Sequence, residues 1–247
     1  MIEFVDIHKR FGERAVLKGL SLRVEEGSVQ FIIGSSGAGK SVLVKHLVGL
    51  IRPDSGRILL NGEEITHLSE RDFYPIRKKC AMVFQHATLF DSMTLLENVA
   101  LPLRKHRGMD EGEACAHAAG MLEQVQMSEM AHRMPAEVGD GLRKRVAIAR
   151  ALTLEPRVMI FDEPTTALDP MAAANVDQLI RTLADEKGVT SIVVSHDLRS
   201  IFSIADRVAM IYQGRIRIDG TVDAIRETGD PVVQQFIQGR PEGPMEL

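Results

Sequence analysis

Eight residues near the start of the chain constrain its fold more than any other stretch: Gly34-Ser35-Ser36-Gly37-Ala38-Gly39-Lys40-Ser41. They match the pattern G-x-x-x-x-G-K-[ST], the P-loop, whose backbone N–H groups wrap phosphate. An apolar run at 29–33 precedes them and a helical pattern at 42–50 follows, which is the strand, loop and helix order that this motif requires. Lys40 supplies a positive charge for the β- and γ-phosphates, and the Ser41 hydroxyl is a ligand for Mg²⁺. The stretch therefore predicts a bound nucleotide and leaves open what the nucleotide drives.

The composition limits the classes of protein to consider. The 247 residues are 45% apolar, which suits one large α/β domain or two small ones. The net charge of −4 weighs against nucleic acid as a partner. Cys80 and Cys115 lie far apart with no C-x-x-C, so we predict no zinc site and a reducing compartment. The N-terminus lacks a signal-peptide core and no apolar run approaches the ~20 residues of a membrane span, so we expect a cytoplasmic protein.

Periodicity predicts an α/β domain interrupted by helices. Apolar or alternating runs indicate strands, and Asn61-Gly62 indicates a hairpin turn. Lys9 to Gly12 is interpreted as a turn, and Ser69 as the N-cap of a helix reaching Lys79. Strand signals stop after Gln85, and helical patterns and methionines, which we interpret as core filler, occupy the region up to Gly141. We expect one domain over 1–247. Its parts are a core and β subdomain at about 1–85 and 150–238, a helical subdomain at about 86–149, and a loose tail at 239–247.

Four predicted strands end in polar residues that suit nucleotide chemistry. A parallel sheet collects such residues at the C-terminal ends of its strands. Besides the P-loop they are Gln85, the pair Asp162-Glu163, and His196. Asp162 has the place of a carboxylate that organises Mg²⁺, and Glu163 can polarise an attacking water. Gln85 suits orienting water or touching the metal, and His196 suits holding Glu163 or the γ-phosphate, although each alone is also an ordinary loop residue.

With these motifs in order, the chain resembles the ATP-binding subunit of an ATP-binding cassette (ABC) transporter nearly end to end. The resemblance implies a RecA-like P-loop fold with a mostly parallel sheet, an N-terminal antiparallel β subdomain and an inserted helical subdomain. It makes Gln85 the Q-loop, Asp169 the D-loop aspartate, and His196 the H-loop histidine. It also implies that Phe11 stacks on adenine, that residues Gly34 through Val42 bind the nucleotide, and that Ser41, Gln85 and Asp162 hold Mg²⁺, with Glu163, His196 and Gln85 catalytic.

A narrower resemblance points to the Mla-type (MCE-associated) phospholipid transport ATPases. Four segments carry it, at 84–91, 97–104, 143–151 and 230–236. General importer ATPases share parts of these segments. This resemblance implies a second copy of the chain as partner, an integral membrane permease, small accessory and MCE-type lipid-binding subunits, and a place on the inner face of the cell membrane.

One motif departs from the family. The family's signature is L-S-G-G-Q, or L-S-G-G-M in the lipid branch, and the matching residues here are Val138-Gly139-Asp140-Gly141-Leu142. Gly139 removes a hydroxyl donor to the partner's γ-phosphate, and a hydrogen bond to a charged group contributes ~1.5–3 kcal/mol. Asp140 adds a carboxylate whose repulsion at about 4 Å would be ~4 kcal/mol. From these two changes we expect weak ATP-driven dimerisation and slow hydrolysis. Two alternatives would remove the repulsion: Asp140 turns away and acts as a helix N-cap, or Arg143 or Lys144 neutralises its charge.

Other functional classes fit less well. Soluble ABC ATPases of DNA repair carry coiled coils or zinc modules, and those of translation carry two cassettes, which this chain lacks. A GTPase is disfavoured because no N-K-x-D motif is present. A regulatory subunit that hardly hydrolyses ATP is favoured by the altered signature and opposed by Glu163 and His196. A different importer or exporter also stays open, because the transported substrate does not contact this type of subunit.

Overall fold

The computed structural model describes residues 1–245, which form two β-sheets, nine α-helices and two short 3₁₀ helices. The strands are β1 (Ile2–Phe11), β2 (Arg14–Val24), β3 (Val29–Ile33), β4 (Ser55–Leu60), β5 (Glu63–Glu64), β6 (Cys80–Val83), β7 (Val158–Asp162), β8 (Thr190–Val194), β9 (Arg207–Tyr212) and β10 (Arg215–Thr221). The helices are α1 (Lys40–Leu47), α2 (Phe73–Lys79), α3 (Leu95–Arg107), α4 (Glu111–Gln124), α5 (Asp140–Leu152), α6 (Pro170–Lys187), α7 (Leu198–Ile204), α8 (Val222–Glu227) and α9 (Pro231–Gln238).

The central sheet has six strands in the order β10-β9-β3-β8-β7-β6. All neighbours are parallel except β9 and β10, which form an antiparallel hairpin. Every residue of β3, β7 and β8 is buried, as expected for strands covered on both faces. The expected α/β fold with a mostly parallel sheet is confirmed.

The N-terminal sheet is antiparallel, with the order β2-β1-β4-β5. The predicted turn at Asn61-Gly62 joins β4 to β5, and both residues have positive φ, 52° and 81°. One hydrophobic cluster joins this sheet to α1 and one face of the central sheet, and a second covers the opposite face. The anticipated β subdomain therefore packs on one face of the central sheet.

A third hydrophobic cluster belongs to the helical region. It is built from α3, α4 and α5, with Leu95, Val99, Leu103 and Leu122 fully or almost fully buried. Thr94 and Glu97 form a reciprocal capping box at the start of α3, which fixes where that helix begins. Met127 is buried in this cluster, and Met109, Met121 and Met130 pack against it, as interpreted from the sequence.

Two local predictions were wrong. Residues 9–11, predicted as part of a turn, continue β1, because the hairpin with β2 pairs Phe11 with Arg14. Ser69, predicted as an N-cap, does not hold that position, since α2 begins only at Phe73 and Asp72 precedes it. The Ser69 hydroxyl instead donates to Asp72 Oδ2 at 2.6 Å within the preceding turn.

The C-terminal segment differs from the expected loose tail at 239–247. Met245 is only 7% exposed and packs in the second cluster. Its N–H donates to Gln235 Oε1 at 2.7 Å, which fastens residues 239–245 onto α9. Residues 246 and 247 lie outside the described part of the chain. Across residues 1–245, none of the helices combines the length and the apolar character that a membrane crossing needs.

Candidate functional site

The P-loop joins β3 to α1, and two of its glycines have no substitute. Gly34 has φ 142°, and a Cβ there would overlap the carbonyl oxygen of Ile211 on β9. Gly39 has φ 105°, and its Cβ would lie 2.7 Å from Leu17 Cδ2. Because both positions combine a left-handed backbone with close neighbours, the loop can fold back over the start of α1 only with glycine there. The free N–H groups of the first turn of α1 then face the loop, where an anion is favoured.

Lys40 bridges the loop. Its Nζ donates to the carbonyl oxygens of Gly34 at 2.7 Å and Ser35 at 2.9 Å. Burial lowers the pKa of Lys40, and the negative charges of Glu163 and Asp162 act in the opposite direction. A buried cation flanked by two carboxylates and held on loop carbonyls is placed to meet phosphate oxygens.

Ser41 and Asp162 meet at the edge of the sheet. The Ser41 hydroxyl donates to Asp162 Oδ1 at 2.7 Å, although the two residues are 121 positions apart. A hydroxyl and a carboxylate so close form part of the oxygen donor set that Mg²⁺ prefers when phosphates and water complete its shell. The residues present therefore fit a magnesium ion at the predicted position.

The Glu163 carboxylate is held by two neighbours. The Thr166 hydroxyl donates to Glu163 Oε2 at 2.9 Å, and His196 Nδ1 lies 2.9 Å from the same oxygen. The Glu163 side chain is 15% exposed and its backbone has φ 54°, a left-handed value that is uncommon outside glycine. The other carboxylate oxygen, Oε1, has no partner within hydrogen-bonding distance in the described chain.

One open cavity of about 700 Å³ unites these residues. It has a size usual for small-molecule sites. Of the residues predicted to bind the nucleotide and metal within one chain, Ala38 and Asp162 do not line it, and neither does the predicted D-loop residue Asp169. The cavity is lined by Phe11, Gly34, Ser35, Ser36, Gly37, Gly39, Lys40, Ser41, Val42, Gln85, Glu163 and His196, together with Arg14, Val16 and Phe236. The last three were not predicted, because nothing in their local sequence places β2 or α9 beside the P-loop.

Phe11 stands at the rim of this cavity. It is 48% exposed, and Lys9 Nζ lies 5.5 Å from the centre of its ring. An exposed aromatic face at a cavity mouth is available for stacking, whereas a hydrophobic plug would be buried.

The signature segment lies away from the cavity of its own chain, since no residue of 138–142 is among the lining residues. Gly139 is the N-cap of α5 and Asp140 is the first residue of the helix, so the alternative in which Asp140 caps the helix was wrong. Asp140 instead forms an ion pair with Arg143, with 2.7 Å between Asp140 Oδ1 and Arg143 Nη2. Arg143 therefore neutralises Asp140 locally, as the other alternative anticipated.

The D-loop aspartate has a structural role in the same region. The Asp169 carboxylate caps α6, accepting from the N–H groups of Met171 at 2.9 Å and Ala172 at 3.0 Å. A Cβ on Gly141 would approach the Cβ of Ala172 to 3.1 Å. The starts of α5 and α6 are thus in close contact, which brings the signature segment beside the turn that carries Asp169.

Two further residues at the site were missed from the sequence. Thr166 holds Glu163, and Lys144 donates to the backbone of the Glu163–Thr166 turn. A threonine near a strand end and a lysine in a basic helical run carry no distinctive pattern. Only the packing of α5 beside α6 and the turn that follows β7 shows their contacts.

Comparison with known proteins agrees with this geometry. Residues 17–166 match the model of a family described as ABC transporter. The methionine import ATP-binding protein MetN of Mesorhizobium japonicum is 41% identical over all of this chain and 68% of its own length. The intermembrane phospholipid transport system ATP-binding protein MlaF of Haemophilus influenzae is 36% identical over 99% of this chain and 93% of its own length. MetN of Rhizobium johnstonii, 42% identical, is covered over 61% of its length, so the chain spans about two thirds of these MetN relatives.

A solved structure shows the same fold. The dimeric post-hydrolysis state of an ATP-binding cassette bound to ADP and Pi superposes with a TM-score of 0.82 at 31% identity, over 90% of this chain and 99% of that chain. With the family model, the MlaF relative and this superposition in agreement, the chain belongs to the ABC transporter family, as an ATP-hydrolysing cassette that uses ATP and Mg²⁺.

Proposed function

We propose that the chain powers a phospholipid transporter of the Mla (MCE-associated) type, as one half of a two-fold ATP-binding dimer attached to a membrane permease. The observation that carries the hydrolytic part is the Glu163 carboxylate, held through one oxygen by Thr166 and His196 beside the P-loop cavity. The transported lipid rests on kinship with the MlaF relative and on the segments that resemble that branch.

Each residue of the site receives a role in this proposal. Lys40 and the P-loop N–H groups hold the ATP phosphates, and Phe11 stacks on the adenine. Ser41, Asp162 and Gln85 hold Mg²⁺, which neutralises charge on the β- and γ-phosphates when bound. Glu163 accepts a proton from the attacking water through its free oxygen, and His196 keeps the carboxylate in place.

A second copy completes the site. The cavity is open and contains no residue of 138–142, and a related cassette is dimeric in its solved structure. In a two-fold, isologous arrangement, Gly139 to Gly141 of one subunit face the γ-phosphate held by the other, with Asp169 at the same contact. The dimer sits on the cytoplasmic face of the membrane beneath the permease, with small accessory and MCE-type subunits, and makes no contact with nucleic acid.

The first test replaces the proposed base. In Glu163→Gln the amide keeps the shape of the side chain but cannot take a proton, so Mg-ATP hydrolysis should fall roughly 10²- to 10⁴-fold while ATP binding stays. Hydrolysis is measured as phosphate release and binding by equilibrium dialysis. Glu186→Gln, on the exposed face of α6, is the matched control. Hydrolysis at the wild-type rate in Glu163→Gln would exclude Glu163 as the base.

The altered signature predicts slow hydrolysis. Its two changes, at Gly139 and Asp140, should contribute unequally to that loss. Arg143 neutralises Asp140, so the missing hydroxyl at Gly139 is the larger defect. A Cβ built on Gly139 would meet no atom within 4 Å among residues 1–245 other than those of its chain neighbours, so serine fits there. Gly139→Ser should raise the hydrolysis rate about tenfold or more, because a hydrogen bond to a charged group contributes ~1.5–3 kcal/mol.

Asp140→Gly alone should change the rate little, and the double reversion should match Gly139→Ser. These three variants and the wild type are compared by phosphate release at saturating Mg-ATP, with dimerisation followed by light scattering. Equal rates in all four proteins would mean that the altered signature does not limit hydrolysis.

A methionine importer is the second candidate, because MetN relatives reach 41% and 42% identity. The cassette does not contact the transported substrate in this family, so the permease determines which substrate is transported. Purification of the tagged chain from its native membrane, with identification of co-purifying subunits and lipids, separates the two. A permease with MCE-type subunits and bound phospholipid supports the proposal, and a methionine permease would overturn it.

A further inference from the structure

A buried lysine connects the signature helix to the turn that carries Glu163. Lys144 lies in the second turn of α5 and is 4% exposed. Its Nζ donates to the carbonyl oxygen of Thr166 at 2.8 Å and to that of Glu163 at 3.2 Å. These acceptors are 22 and 19 positions away in the chain, so the contact joins two elements of the tertiary structure.

Burying the ammonium charge of Lys144 costs free energy unless partners compensate it. Burial lowers the pKa of Lys144, and the charges of Asp140 and Glu163 act in the opposite direction. Asp140 lies one helical turn before Lys144. The residue that breaks the signature pattern is therefore also one of two carboxylates that favour the charged form of Lys144.

The turn that Lys144 binds is one that needs support. Glu163 has φ 54° and Ala167 has φ 64°, both left-handed values that cost free energy outside glycine. Inside the turn, the Thr166 N–H reaches the Glu163 carbonyl only at 3.4 Å. Lys144 therefore supplies the shorter hydrogen bonds to the carbonyls at both ends of the turn, while the Thr166 hydroxyl orients the carboxylate.

We propose that Lys144 is a positioning residue for Glu163, and that it links the signature segment, which meets the partner's ATP, to the base of its own subunit. The link passes from the start of α5 through the Lys144 ammonium to the backbone of the Glu163–Thr166 turn. Engagement of Gly139 to Gly141 by one ATP then affects the position of Glu163 at the other. This proposal rests on the dimeric ATPase function proposed above.

Steady-state hydrolysis of Mg-ATP by the full chain tests it. Lys144→Met keeps the length of the side chain and removes the donors, so kcat should fall roughly tenfold or more, since small displacements of a catalytic group cost up to about 10²-fold. The KM for ATP should stay within a factor of about two, because ground-state binding is untouched. Lys144→Arg, which retains donors, should recover most of kcat. Arg145→Met, the next position on α5, is the control and should leave both constants unchanged.

The background of Glu163→Gln separates positioning from a general structural role. If Lys144 acts through Glu163, adding Lys144→Met there should not lower the residual rate further. A further loss of the same size, or a rise in KM without a change in kcat, would overturn the proposal. If Lys144→Met proves unfolded by circular dichroism, Lys144→Gln is measured, and wild-type kcat in that variant would overturn it.

The two proposals fail in different ways. If the wild type binds ATP without hydrolysing it, both the proposed function and the proposed role of Lys144 are overturned. If Glu163→Gln abolishes hydrolysis while Lys144→Met retains wild-type kcat, only the role of Lys144 is overturned.

Discussion

At the scale of single residues, the site depends on how one carboxylate is held. Glu163 Oε2 accepts from Thr166 and contacts His196, and its backbone is bound by Lys144. One oxygen of the carboxylate is thereby fixed, while the other has no hydrogen-bond partner among residues 1–245. A base that is already oriented loses little free energy in reaching the geometry of the transition state.

The contribution of Thr166 can be measured directly. Thr166→Val replaces the hydroxyl by a methyl group of similar size, so Glu163 loses a donor without a large change in packing. A hydrogen bond to a charged group contributes about 1.5–3 kcal/mol, so we expect kcat to fall about tenfold. Phosphate release at saturating Mg-ATP measures it. Thr166→Ser keeps the hydroxyl and should hold kcat near the wild-type value; equal kcat in the valine variant would contradict the role.

At the scale of elements, the helices α6 and α7 follow the turns that carry Asp169 and His196. They contact each other through Asp177, which is 8% exposed and accepts from the Ser200 hydroxyl at 2.7 Å. Asp177 Oδ1 has no hydrogen-bond partner in the described part of the chain. Burial raises the pKa of Asp177 to about 6; Asp197 adds to the shift, whereas the Ser200 hydrogen bond and Arg199 oppose it.

This buried carboxylate predicts a pH dependence of stability. The pKa is higher in the folded chain than in the unfolded chain, so the folded state binds more protons between the two values. The contribution of Asp177 is therefore most favourable below about pH 4 and is lost as the pH rises through about 6.

Asp177→Asn removes this titration, so the variant should be more stable than the wild type at pH 8, with the difference shrinking towards pH 4. Urea unfolding across this pH range measures it. Glu186→Gln, an exposed change on the same helix, should leave the difference between pH 4 and pH 8 as in the wild type. A variant less stable than the wild type at pH 8 would show that ionised Asp177 is favourable.

At the scale of the whole molecule, the C-terminal segment at 239–245 packs against α9 and the second hydrophobic cluster. Met245 packs within the second cluster, which covers one face of the central sheet, and the Gln235 side chain binds its backbone N–H. Gly243 has φ 156°, and a Cβ there would overlap the Gln235 side chain. The segment thus fits closely against α9.

Met245→Ala should therefore lower the free energy of unfolding by about 1–3 kcal/mol, the value of burying a methionine side chain. Urea unfolding at pH 7 measures the change. Glu242→Gln, at an exposed position of the same segment, should leave the midpoint unchanged. The same midpoint in Met245→Ala and the wild type would contradict the packing of this segment.

The sequence by itself determined the fold class and those residues of the site that belong to local sequence patterns. The P-loop is contiguous, and Asp162, Glu163 and His196 follow buried strands, so strand order along the chain placed them at one edge of the sheet. Hydrophobic periodicity likewise predicted the helical insertion, because each amphipathic helix repeats its own pattern.

Only the tertiary structure decided the contacts between distant segments. Lys144 and Glu163 meet because α5 packs against the turn after β7, and no local pattern encodes that distance. Met245 stands between Pro244 and Glu246 in no apolar pattern, and its burial follows from its place in the second hydrophobic cluster. Local patterns specify elements; which side chains meet depends on how those elements pack.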